Sequence, residues 1–189
     1  MMAVLSGTAA VSAQDVDRIL TAQLAAFIAL LLAASAVHKW LRWEHTVEVA
    51  REFAGIPRPA ASAAALAAGL AECGAAGLMF SSGERMLGAL LAAAVLTLYL
   101  ALIVRALMAG RRNVDCGCSF GAPRHALGTF ELARNAVLAI MALWVAVASA
   151  RGGAPIAASQ ILGAAALLAS YAALDQLMGL QPMRTGAVL

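Results

Sequence analysis

The chain has 189 residues, of which 63% are hydrophobic and only 12% charged, with a formal net charge of +3 at pH 7 and a mean hydropathy of +0.86. An ordinary soluble domain carries roughly 25% charged residues, so half that share points away from a soluble globule and toward a protein embedded in lipid. The excess of positive charge is small and local; it does not indicate a nucleic-acid partner and reads as a topology signal.

Residues 1–14 are expected to form a flexible tail. They lack the basic start and sustained apolar core of a secretory signal. Residues 15–180 are expected to form a single transmembrane helical domain. Its first apolar run, 19–37, is long enough to cross ~30 Å of hydrocarbon at ~1.5 Å per residue, and the span is taken to 41. It closes in His38-Lys39-Trp40-Leu41-Arg42-Trp43, a mixture of cations and tryptophans expected at headgroup depth. Trp40, Trp43, Val47, Ala50 and Ala54 then recur at helical spacing with charged residues opposite, which predicts an amphipathic helix lying in the interface. Gly55, Pro57 and Pro59 end it and start the next element.

Further spans are predicted at about 60–80, 85–108, 127–150 and 156–178, followed by a polar tail, 181–189. Gly110 is a plausible stop for the third span. The expected fold is therefore an all-α polytopic membrane bundle. It has five transmembrane helices, a four-helix core plus one, and an interfacial amphipathic helix after the first. The abundant alanine suits close approach of transmembrane backbones.

Between the third and fourth spans runs a short polar loop holding Asp115-Cys116-Gly117-Cys118. A disulfide across one intervening residue closes a small ring away from relaxed geometry, which makes the bond easier to reduce. Labile disulfides of this kind are the catalytic or regulatory ones. Gly117 tolerates the backbone angles that closure demands. Arg111 and Arg112 nearby favour thiolate over thiol, whereas Asp115 opposes it. The same thiols could instead hold a soft metal ion, although no Cys-His cluster completes a four-coordinate site and no metal ligands are assigned. The third cysteine, Cys73, lies inside the second span, where it is either a small packing residue or a resolving thiol.

Glu72, Glu131 and Arg134 fall inside predicted spans, where ionisable groups are costly and mark function or a buried pair. Glu131 and Arg134 are three apart and share a helix face, so they can pair with each other. Their functional reading is a polar pocket under the cysteine loop that binds a quinone or steers protons.

Taken together, His38-Lys39 closing the first span, Glu72 in the second and Tyr99 in the third, Gly110-Arg111-Arg112 leading into Asp115-Cys116-Gly117-Cys118-Ser119-Phe120-Gly121, and Arg134-Asn135 in the fourth resemble the MauE family of methylamine utilisation proteins. That family sits within a wider MauE/DoxX group of redox-associated bacterial membrane proteins. The likeness covers roughly residues 19–150. It implies a four-helix core in the bacterial inner membrane, serving thiol–disulfide chemistry beside a thioredoxin-like partner in the maturation of disulfide-rich periplasmic proteins. It also implies that Cys116 and Cys118 are the redox pair. In this reading Glu131, Arg134 and Asn135 shape the pocket, with Glu72, Tyr99, His38 and Lys39 around it, and Arg111 and Arg112 dock the partner. Membrane lipid is a further partner; a quinone cofactor and a homo-oligomer are left open. The alternatives are a soft-metal membrane protein and a non-catalytic anchor for a thioredoxin-like partner.

One expectation conflicts with this. Arg18, Arg85 and Arg151 fall on one membrane side, while nine Lys and Arg, from Lys39 to Arg184, fall on the side of the cysteine loop. The positive-inside rule thus places that loop in the cytoplasm, whereas periplasmic maturation requires it outside.

Overall fold

A computed structural model of the chain describes residues 12–110, 129–152 and 154–179. Six α-helices run through them: α1 (Ala13–Leu41), α2 (Trp43–Ala54), α3 (Arg58–Phe80), α4 (Arg85–Met108), α5 (Thr129–Ser149) and α6 (Ala158–Gly179). The described residues contain no strand. All except α2 are long and apolar enough to cross a membrane, so the protein is an all-helical, multi-pass membrane protein with five spans.

α1 begins six residues before the apolar run, so Ala13 and Gln14, read from sequence as tail, are helical. The cause is local. Ser12 Oγ accepts from the Asp15 amide at 3.2 Å, and the Asp15 carboxylate accepts from the Ser12 amide at 3.3 Å. This reciprocal capping box satisfies two amides that a helix start otherwise leaves open. At the other end, Arg42 leaves helical geometry (φ −117°, ψ 44°) and separates α1 from α2. α2 stops at Gly55, whose φ of 65° is the left-handed conformation that glycine adopts without a Cβ penalty. Pro57 and Pro59 then flank the first residue of α3, where a missing amide proton costs nothing.

The packing reverses the usual order of a water-soluble core. Alanines such as Ala25, Ala29, Ala75, Ala92 and Ala142 are buried, while Leu66, Leu87, Ile140, Trp144 and Leu162 point outward. Lipid tails are as apolar as leucine, so association draws on close backbone approach and van der Waals contact, which alanine permits. α1, α3, α4 and α5 close a four-membered ring, and among the described helices the backbone of α6 approaches only α1. Gly88 marks a close α3–α4 contact: a Cβ there would lie 2.7 Å from the Met79 amide nitrogen and 3.0 Å from the Ala75 carbonyl oxygen.

α2 turns its apolar stripe onto the bundle. Val47 packs against Ala61 and Ala65 of α3, and Phe53 against Ile103 and Ala106 of α4. Arg85, counted from sequence among the cations on one membrane side, is 1% exposed. Its Nε donates to the Met79 carbonyl at 3.1 Å and its Nη1 to the Ala154 carbonyl at 2.6 Å. It therefore ties the α3–α4 turn to the connection before α6.

Candidate functional site

Inside this hydrocarbon bundle lies one level at which every spanning helix contributes a polar side chain. Lys39, in the last turn of α1, places Nζ 2.6 Å from Glu72 Oε1 in α3. The same oxygen accepts from Tyr99 Oη of α4 at 2.6 Å and from Ser35 Oγ at 3.2 Å. Lys39 also donates to Ser35 Oγ at 2.7 Å, and its ammonium lies 5.2 Å from the centre of the Tyr99 ring. Glu72 is fully buried and Lys39 nearly so. A lone charge at this depth is costly, and pairing with several hydrogen bonds is what makes it tolerable. Glu72 Oε2, by contrast, is buried without a protein partner among the described residues.

The other half of the level is built by α5 and α6. Arg134 Nη1 forms an ion pair with Asp175 Oδ1, and both side chains are buried. The guanidinium also lies 5.8 Å from the centre of the Tyr171 ring, which meets Phe27 of α1 edge-on at 6.2 Å. Asn135 Nδ2 donates to the Glu131 backbone carbonyl at 2.9 Å.

A small cavity of about 30 Å³ joins the two halves, lined by Ser35, Glu72 and Tyr99 on one side and Arg134, Asn135 and Tyr171 on the other. A water needs roughly 10–15 Å³ of such space and two or more polar partners, so the cavity is large and polar enough to hold one. The whole arrangement can keep several charges and a proton-carrying network in a fixed geometry away from bulk water.

The layer sits toward one end of the bundle. Tyr99 is nine residues before the end of α4 and Arg134 five residues after the start of α5, about 14 Å and 8 Å at ~1.5 Å per residue. The Cys-x-Cys loop joins those two helix ends in sequence. Asp115, Cys116, Gly117, Cys118, Arg111 and Arg112 themselves lie outside the described residues.

The bundle thus gathers Glu72, Tyr99, Arg134 and Asn135 around one cavity, with Lys39 bonded to Glu72 beside it. Glu131 is half-buried at the entry of α5 and contributes its carbonyl. His38 is half-buried beside Lys39, and its carbonyl accepts the Arg42 amide at 3.0 Å. Cys73, adjacent to Glu72, is a half-buried free thiol. Lys39, read from sequence both as part of the headgroup cluster and as a pocket residue, is a buried partner of Glu72 and not a headgroup charge. Sequence reasoning missed Ser35, Tyr171 and Asp175. Asp175 carried the same signal as Glu72, an acid within an apolar span, whereas Ser35 and Tyr171 carried none.

Five apolar spans closed around a layer of paired charges define a multi-pass membrane protein with a buried polar site. Its sequence relationships are more specific. A family model described as methylamine utilisation protein MauE matches residues 17–148, and the chain belongs to that family. It is 34% identical over 161 residues to a methylamine utilization protein MauE of Paracoccus versutus, covering 83% of this chain and 86% of that one. It is 31% identical over 150 residues to the protein of the same description from Paracoccus denitrificans, covering 78% of each. No solved structure matches.

Proposed function

We propose that this protein is a thiol–disulfide exchange protein of the bacterial inner membrane, acting with a thioredoxin-like partner in protein maturation linked to methylamine utilisation. The observation that carries this reading is the Asp-Cys-Gly-Cys loop, which falls within the matched residues 17–148 and joins α4 to α5 at the end of the bundle nearest the charged layer.

In the reaction, the thiolate of Cys116 or Cys118 attacks a sulfur of the partner's disulfide. A mixed disulfide forms and one partner thiol is released. The neighbouring thiol then attacks the mixed disulfide, closes the Cys116–Cys118 bond and releases the second partner thiol. Two electrons pass to the partner and no other reactant is needed; the reverse sequence oxidises the partner instead. Gly117 supports closure, Asp115, Arg111 and Arg112 set the charge around the thiols and the docking of the partner, and the buried layer anchors both helices that carry the loop.

Redox-state trapping of a thioredoxin-like partner in cells tests this. Cys116→Ser and Cys118→Ser should each abolish exchange, and a single serine variant should accumulate the mixed disulfide. Full activity in the double variant would sink the proposal.

A further inference from the structure

A second cavity opens on the other side of Tyr99. It measures about 170 Å³ and lies between α2, α3 and α4. α2 makes it by straddling: Val47 is fastened to Ala61 and Ala65 of α3, Phe53 to Ile103 and Ala106 of α4, and the space between is left unfilled. Phe53, Ala64, Ala68 and Leu102 supply apolar walls, and the polar groups come from Lys39, Tyr99 and Thr46, the Thr46 hydroxyl donating to the Lys39 and Arg42 carbonyls. Ala64 and Leu98, both lining residues, are exposed, so the cleft opens sideways between α3 and α4, where lipid lies. A mostly apolar pocket with a few converging polar groups is the usual form of a small-molecule site.

The polar end specifies the occupant. An ammonium has three donors. Lys39 uses two of them, on Glu72 Oε1 and Ser35 Oγ, which leaves one for a molecule in the cleft. Its charge is already balanced by Glu72, so the site calls for an uncharged acceptor in preference to a phosphate or carboxylate. The half-buried Tyr99 ring lines the same end and adds a flat, aromatic wall. A carbonyl on a flat, uncharged ring with a long apolar tail meets all three conditions.

We propose that this cleft binds the ring of an isoprenoid quinone, one carbonyl accepting from Lys39 Nζ and the tail leaving between α3 and α4. The choice of a redox-active ring rests on the thiol–disulfide reading. Converting the dithiol to a disulfide releases two electrons and two protons, and reduction of a quinone to its quinol takes up both.

The test uses the full chain in phosphatidylcholine nanodiscs free of quinone, titrated with decylubiquinone and followed by quenching of tryptophan fluorescence. The wild-type protein should show saturable quenching. Ala68→Phe, which fills the cleft and leaves Lys39, Glu72 and Tyr99 in place, should weaken binding at least tenfold. Ala64→Leu, at an exposed position that the fold tolerates, should narrow the mouth and also weaken binding, and it serves if Ala68→Phe does not fold. The Cys116→Ser/Cys118→Ser double variant should bind as the wild type does while losing exchange, so the cleft and the thiol chemistry are judged separately. Unchanged binding in a folded cleft variant overturns the proposal, as does equal competition by diacylglycerol, which would make the cleft a general lipid site.

Discussion

Lys39 and Glu72, 33 residues apart in sequence, meet at 2.6 Å inside the bundle. Because Ser35, one turn earlier, reaches the same carboxylate, the last turn of α1 stands level with the second half of α3. The first half of α3 therefore runs on past the end of α1. α2 covers it, with Val47 seated on Ala61 and Ala65. The ion pair thus marks the stagger of the two helices, and with that stagger come both the role of α2 and the cleft beneath it.

Removing one partner of a buried pair leaves the other charge uncompensated, at a cost of about 3–5 kcal/mol. Glu72→Leu and Lys39→Met should each lower stability by that order in denaturant unfolding from mixed micelles. The double variant, with two apolar side chains in place of the pair, should recover most of the loss. Additive losses would show that each residue acts through other contacts.

α6 has a weaker hold than the rest. Among the described helices its backbone approaches only α1, and its most apolar stretch is the least hydropathic of the five spans. The Arg134–Asp175 pair joins it to α5. Asp175→Ala should therefore loosen α6 selectively, seen as faster amide hydrogen exchange across 158–179 with little change in α3 and α4. Uniform acceleration through all helices would mean that α6 is integral to the core.

Two glycines of neighbouring helices separate close approach from helix propensity. Gly88→Ala forces a Cβ against the backbone of α3 and should cost about 1–3 kcal/mol, as overpacking does. Gly77→Ala meets nothing within 4 Å, and should be neutral or stabilising by up to ~1 kcal/mol, the propensity difference in a helix. Thermal unfolding of the two variants side by side checks the contrast.

The orientation can be read with a membrane-impermeant, mass-shifting maleimide. Lys39 and Arg85 are both buried, so the nine and three cations counted from sequence each fall by one, to eight against two, and the bias persists. Cys116 and Cys118 are then expected to react only after the membrane of spheroplasts is broken. Labelling of intact spheroplasts after reduction would place the pair outside, with periplasmic disulfides as its substrates.

The five spans, the stop at Gly55 and the amphipathic character of α2 were legible in the chain because each depends on neighbours within a few turns. Hydropathy over about twenty residues, a glycine after a periodic stretch and a stripe at 3.6 spacing are local quantities. The early start of α1 was equally local, written in Ser12 and Asp15 but hidden from a reading based on hydropathy alone. Several members of the site were visible too, since Glu72 and Arg134 are conspicuous in apolar surroundings.

The pairing of those charges was not. Glu131 was the partner that sequence offered Arg134, and the bundle supplied Asp175 from 41 residues away. Lys39 looked like a headgroup anchor, and helix stagger drew it inward to Glu72. Which helix stands beside which, and at what height, depends on how small residues such as Gly88 and Ala75 let backbones settle together. That is a property of several segments at once. The chain alone therefore determined that charges must be satisfied within the membrane, and the tertiary packing decided with whom, leaving a cavity on either side of Tyr99.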